Sequence, residues 1–189
     1  GAGPEYIEVD HPVQKAVRSA FEDMTGAESP LWGTDGCSAP NFATTVAGLG
    51  RAMAAMASAD QLGKVRSAAA RRLVAAMITH PLLVSGPGGD CSELMVASDG
   101  KAAVKTGAEG VYTAILPERG LGVAIKIEDG ATRASTCAIA ALLTRLKVLD
   151  PDHPTTQRYL RPEIRDRRGR PAGEIRPASG LWADGAILA

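Results

Sequence analysis

The segments Ala102-Ala103-Val104-Lys105, Val111-Tyr112-Thr113-Ala114-Ile115-Leu116 and Leu121-Gly122-Val123-Ala124-Ile125-Lys126-Ile127 decide the fold class. Their side chains read with a period of two, the period of a strand whose successive residues point to opposite faces. Leu121, Val123, Ile125 and Ile127 make one apolar face. Between the second and third segments lies Pro117-Glu118-Arg119-Gly120, turn chemistry short enough to fold two strands back antiparallel. The reading is a single antiparallel sheet built from these strands.

On both sides of this stretch the period changes to that of a helix. Before it, a short helix over 91–97 capped by Asp90 follows the Gly-rich bend Ser85-Gly86-Pro87-Gly88-Gly89. Further upstream, residues 64–79 are predicted helical with Val65, Ala69, Leu73 and Met77 inward. Residues 43–58 place Val46, Leu49, Met53 and Met56 on one stripe. Asp10-His11-Pro12 opens the first helix with Asp10 as N-cap, Val13, Val17 and Phe21 recur along it, and Gly26 stops it. Between the first two helices, Pro30, Gly33, Gly36 and Pro40 break the pattern, and no regular element is expected over 29–41.

After the strands, a helix is predicted over 132–149 with Ala134, Ala138, Leu142 and Leu146 on one side. Residues 1–150 form the compact helix and sheet part, and 151–189 a terminal hairpin and tail. Residues 161–176 carry six Arg against Glu163, Asp166 and Glu174, a net charge of +3. This segment reads as a solvated hairpin turning at Arg168-Gly169 onto an edge of the sheet, the sharper alternative being a patch for an anionic ligand. The sum is an α+β fold, an antiparallel sheet packed by helices.

Composition narrows the function. At 189 residues the chain fits one domain on the usual scale of roughly 100–200 residues. Lys+Arg and Asp+Glu are both 21, so no cationic field exists to recruit nucleic acid or a membrane surface. No apolar run reaches the roughly 20 residues of a membrane span, and no basic-then-apolar signal opens the chain. Three cysteines, an odd number, argue against a disulfide framework and for a reducing, cytoplasmic setting. The 33 alanines and 4% aromatic content point to closely approaching helices with few bulky anchors.

The residues able to do chemistry are few. All three histidines precede proline, at His11, His80 and His153, and read as caps and turn residues rather than ligands. Cys91 and Cys137 stand among apolar neighbours and read as buried thiols. Cys37 stands apart, in the broken loop Trp32-Gly33-Thr34-Asp35-Gly36-Cys37-Ser38-Ala39-Pro40. A nucleophile, a metal ligand and a cysteine without a task are all open readings of it; one soft ligand does not make a zinc site. Lys105-Thr106-Gly107 closes the first predicted strand, and such a triplet on a sheet edge is one signature of penicillin-recognising hydrolases. Those enzymes pair it with Ser-x-x-Lys at a helix start; the one copy here, Ser98-Asp99-Gly100-Lys101, reads as a turn and a decoy. No complete nucleophile–base pair is found in the 189 residues.

Tyr6 to Gln14, Gly33-Thr34-Asp35-Gly36-Cys37-Ser38-Ala39-Pro40 and Lys105-Thr106-Gly107-Ala108-Glu109-Gly110-Val111-Tyr112 together resemble the rhizobial-type L-asparaginases, the class 3 or asparaginase II family. Gly173-Glu174-Ile175-Arg176 resembles that family's last strand. The resemblance implies a serine-β-lactamase or penicillin-binding-protein-like fold that hydrolyses L-asparagine to aspartate and ammonia, in a homodimer. It implies that Lys105 is the lysine of a Ser–Lys pair, that Thr106, Gly107 and Asp35 contact substrate, and that Cys37 is one ligand of a zinc ion. It also implies that the serines and the remaining zinc ligands precede Gly1, so that residues 1–189 form the C-terminal portion of one longer domain. The other readings kept open are a related Ser–Lys hydrolase acting on glutamine, a peptide or a β-lactam, and a truncated domain without catalysis.

Overall fold

A computed structural model describes residues 2–182. The three strands decided from the period of two are present. β3 (Ala103–Thr106), β4 (Val111–Leu116) and β5 (Leu121–Lys126) form an antiparallel sheet in the order β3-β4-β5. The register sets Lys105 opposite Thr113 and Thr113 opposite Ala124, so these three share one face. Thr106, Tyr112 and Ile125 form the next row and point to the other face.

Helices cover both faces. α2 (Val46–Ala57) crosses the face of Ala124 and packs on β4 and β5. It comes close because Gly122 has no side chain: a Cβ there would lie 2.1 Å from the Ala54 nitrogen and 2.5 Å from the Gly50 oxygen. α3 (Lys64–Thr79) lies beside α2 and reaches β3. The opposite face is covered by α5 (Asp90–Ala97) and α6 (Thr132–Arg145). Leu94, Tyr112, Ala114, Leu116, Ile139 and Leu143 are buried there in one apolar cluster. α4 (Leu82–Ser85) leads into α5, and α7 (Pro154–Leu160) returns along α6 and buries Leu160.

Several local expectations change. α1 (Pro12–Thr25) is capped by His11 rather than Asp10: the His11 Nδ1 accepts the Val13 N–H at 3.2 Å. Pro12 starts the helix, which leaves the residue immediately before it as the cap. Gly26 ends it in the left-handed region at φ 64°, as expected of a glycine stop. His153 caps α7 in the same way, accepting from the Thr155 N–H at 3.2 Å. α3 keeps its bounds but turns another side inward. Ala70 and Val74 are buried, while Val65 and Leu73 are exposed, because an alanine-rich helix can approach its neighbours along a stripe of small residues. α6 stops at Arg145 instead of 149. Lys147 adopts φ 55°, and the N–H groups of Val148 and Leu149 both return to the Leu143 carbonyl.

The segment 29–41 is not irregular. β1 (Trp32–Thr34) pairs antiparallel with β2 (Pro40–Phe42), Gly33 opposite Asn41. Strands of three residues interrupted by Gly and Pro leave no period to detect. The terminal hairpin forms from β6 (Glu163–Arg165) and β7 (Pro171–Glu174), with Gly169 at φ 75° in the turn. It is a separate two-stranded sheet and does not extend the central one. Residues 183–189 of the expected tail lie outside the described residues.

Candidate functional site

A cleft of about 640 Å³ opens between the β1–β2 hairpin, the first turn of α2 and the turn that joins β3 to β4. Asp35 and Cys37 stand on the hairpin side, Thr44, Thr45 and Val46 at the helix start, and Gly107, Ala108 and Glu109 on the opposite wall. Lys126 at the end of β5 and Asn41 of β2 complete the polar lining. Two residues seventy positions apart, Cys37 and Gly107, thus face one space.

The hairpin tip is built by its backbone. The Asp35 N–H donates to the Ala39 carbonyl at 3.0 Å, and the Ser38 N–H to the Asp35 carbonyl at 2.8 Å. Ser38 takes φ 70° to close this turn. The thiol of Cys37 donates to the Asp35 carboxylate at 3.4 Å, which puts a soft and a hard donor side by side on an exposed edge. The hairpin stem is tied to the body through Ser29: its N–H donates to the Glu22 carboxylate at 2.7 Å, and its hydroxyl to the Ala43 carbonyl at 2.6 Å. The Ser29 N–H, followed by Arg18, holds the Glu22 carboxyl below its ordinary value.

On the opposite wall the chain leaves β3 and turns. The Gly107 N–H donates to the Val111 carbonyl at 2.8 Å, and Glu109 and Gly110 are both left-handed, at φ 55° and 70°. For glutamate this backbone is costly, of order 1–3 kcal/mol, and such strain gathers where a side chain is held for a purpose. Lys105 is exposed on β3 with its Nζ donating to the Thr106 carbonyl at 2.7 Å. Thr106 turns to the other face of the sheet.

Of the residues singled out from sequence, the cleft brings Asp35, Cys37 and Gly107 together. Lys105 and Thr106 stand immediately before Gly107 but are not among the residues lining the cleft. Glu109 and Lys126 were missed. The alternation Gly107-Ala108-Glu109-Gly110 between two strands is the signal that points to the first; nothing local marks the second. Ser98 caps α5 and is buried, its hydroxyl donating to the Met95 carbonyl at 2.8 Å, and the Lys101 N–H returns to the Ser98 carbonyl. Ser98-Asp99-Gly100-Lys101 is the turn that its glycine indicated.

The cleft offers acid at Asp35 and Glu109 and base at Lys126, with Lys105 close along the strand, a mixed lining suited to a small ligand carrying both charges. Among the described residues no serine lines it, and the Thr45 hydroxyl is engaged in accepting the Gly48 N–H at 3.0 Å as the α2 cap. A zinc ion needs about four donors. Among the described residues no three His, Cys, Asp or Glu side chains gather to hold a metal, so Cys37 and Asp35 alone do not fit one. Nor is any described helix long and apolar enough to cross a membrane. A search of curated proteins finds no match. The family model for L-asparaginase II matches residues 2–177, nearly the whole chain.

Proposed function

The chain belongs to the L-asparaginase II family, and from this premise we propose that it hydrolyses the side-chain amide of L-asparagine to L-aspartate and ammonia. The observation that carries the reading is the convergence of Asp35, Cys37 and the Gly107 turn on one cleft, although the sequence separates them. On this reading a serine from a segment preceding Gly1 attacks the amide carbon, and Lys105 takes up its proton. The proton passes to the departing ammonia as the carbon–nitrogen bond breaks. Water then splits the ester, and the serine regains its proton. Asp35, Thr106 and Gly107 contact the substrate. The local charges fit an amino acid, which is a zwitterion and needs no global field on the protein.

A serine-β-lactamase-like architecture for the whole domain, a homodimer and a cytoplasmic setting belong to the same proposal. So does zinc, held at Cys37 with donors that the upstream segment contributes; no step of the reaction passes through it. The test is ammonia release by the protein as encoded, measured with asparagine, glutamine and a chromogenic β-lactam side by side. Preference for asparagine is expected. Equal or greater turnover of another amide moves the assignment to a related Ser–Lys hydrolase. Metal analysis of the same preparation, repeated on Cys37→Ser, is expected to show zinc that the substitution removes.

A further inference from the structure

Beneath Lys105-Thr106-Gly107 lies a cysteine that the proposed chemistry does not use. Cys91, in the first turn of α5, is fully buried. Its Sγ accepts two hydrogen bonds: from the Thr106 N–H at 3.1 Å and from the Tyr112 hydroxyl at 3.3 Å. Thr106 and Tyr112 are opposite each other in the β3–β4 register, so one sulfur atom ties both strands to the helix. The Thr106 N–H points away from β4 and would otherwise be an open donor on the outer edge of β3. Cys91 is held in turn by Asp90. That carboxylate accepts the Cys91 N–H at 2.8 Å and, through its other oxygen, the Thr136 hydroxyl of α6 at 3.0 Å. Burial pushes the thiol up from its ordinary value, which keeps it a neutral acceptor.

We propose that Cys91 and Tyr112 are positioning residues for Lys105 and Gly107, fixing the end of β3 where it enters the cleft. The proposal rests on the asparagine-hydrolysing role of Lys105 stated above. Removing the acceptor strands the strand-edge N–H and takes from the buried Tyr112 hydroxyl one of its two partners, Asp90 being the other, and the β3 end is then free to shift by a fraction of an ångström. A shift of that size slows turnover by displacing Lys105, and because Thr106 and Gly107 contact the substrate on this reading it raises KM as well.

The experiment compares wild type, Cys91→Ala, Cys91→Ser and Tyr112→Phe in the protein as encoded, by asparagine kinetics and by amide hydrogen exchange. Cys91→Ala is expected to lower kcat about tenfold and to raise KM with it. Cys91→Ser keeps an acceptor and is expected to recover most of that loss, and Tyr112→Phe to fall between. The Thr106 amide should exchange faster in Cys91→Ala than in wild type, and slow again in Cys91→Ser. An active wild type whose kcat is unmoved by Cys91→Ala and Tyr112→Phe overturns the positioning role, whatever happens to thermal stability. If Cys91→Ala does not fold, Tyr112→Phe, which deletes one oxygen, decides the same question. A wild type without activity on asparagine overturns the asparaginase reading, and the kinetic half of this proposal with it. In that case Thr106 exchange unaffected by Cys91→Ala also overturns the anchoring of the strand.

Discussion

At the scale of single residues the three cysteines have three different surroundings. Cys37 is exposed beside Asp35, Cys91 is engaged by Thr106 and Tyr112, and the thiol of Cys137 donates to the Leu160 carbonyl at 3.4 Å. Burial raises the last two thiols above their ordinary value, which keeps them protonated and slow to react. One thiol per chain should therefore react quickly with a thiol-disulfide reagent at neutral pH, and all three after unfolding in denaturant. Rapid labelling of Cys91 in the native protein would contradict the burial described. The exposed loop position of Cys37 and the interior position of the other two were legible from neighbours alone. The partners of Cys91 were not, since Thr106 and Tyr112 meet it only once the sheet folds against α5. The left-handed Glu109 was equally hidden, because the residues around it set its backbone.

At the scale of elements, helices with strong punctuation were readable and short strands were not. α1 has its proline start and glycine stop, and α3 holds its bounds of 64–79. The β1–β2 hairpin has no apolar period; what fixes it is distant, Ser29 held between Glu22 and Ala43. This gives the hairpin a pH dependence with a definite sign. The folded-state pKa of Glu22 is depressed, so its contribution is present above the unfolded value and disappears as pH falls through the folded one. The amide proton of Ser29, followed by NMR, should titrate with a midpoint below the ordinary glutamate range. Glu22→Gln should shift that resonance already at neutral pH and loosen the hairpin there. A midpoint at or above the usual glutamate value contradicts the anchor.

At the scale of the whole molecule, the switch from helical to alternating period identified α+β, and helices on both faces of β3-β4-β5 bear that out. Expecting one sheet was too simple, since both hairpins stand apart from it. The spacing between α2 and the sheet depends on Gly122, where a Cβ would meet the α2 backbone rather than a movable side chain. Gly122→Ala should destabilise by about 1–3 kcal/mol in urea unfolding, because two packed layers must separate to admit the methyl group. A loss under about 1 kcal/mol would show that the layers are not in close contact. Beside that packing lies the cleft, and two positions before its Gly107 wall stands Lys105, the proton acceptor of the proposed asparagine cleavage. The direct measurement is ammonia release from L-asparagine by the protein as encoded, wild type against Lys105→Ala, with folding of the variant checked by its unfolding transition. Steady release by wild type and a loss of at least about a hundredfold in the variant are expected; release by a folded Lys105→Ala at the wild-type rate overturns Lys105 as the proton acceptor.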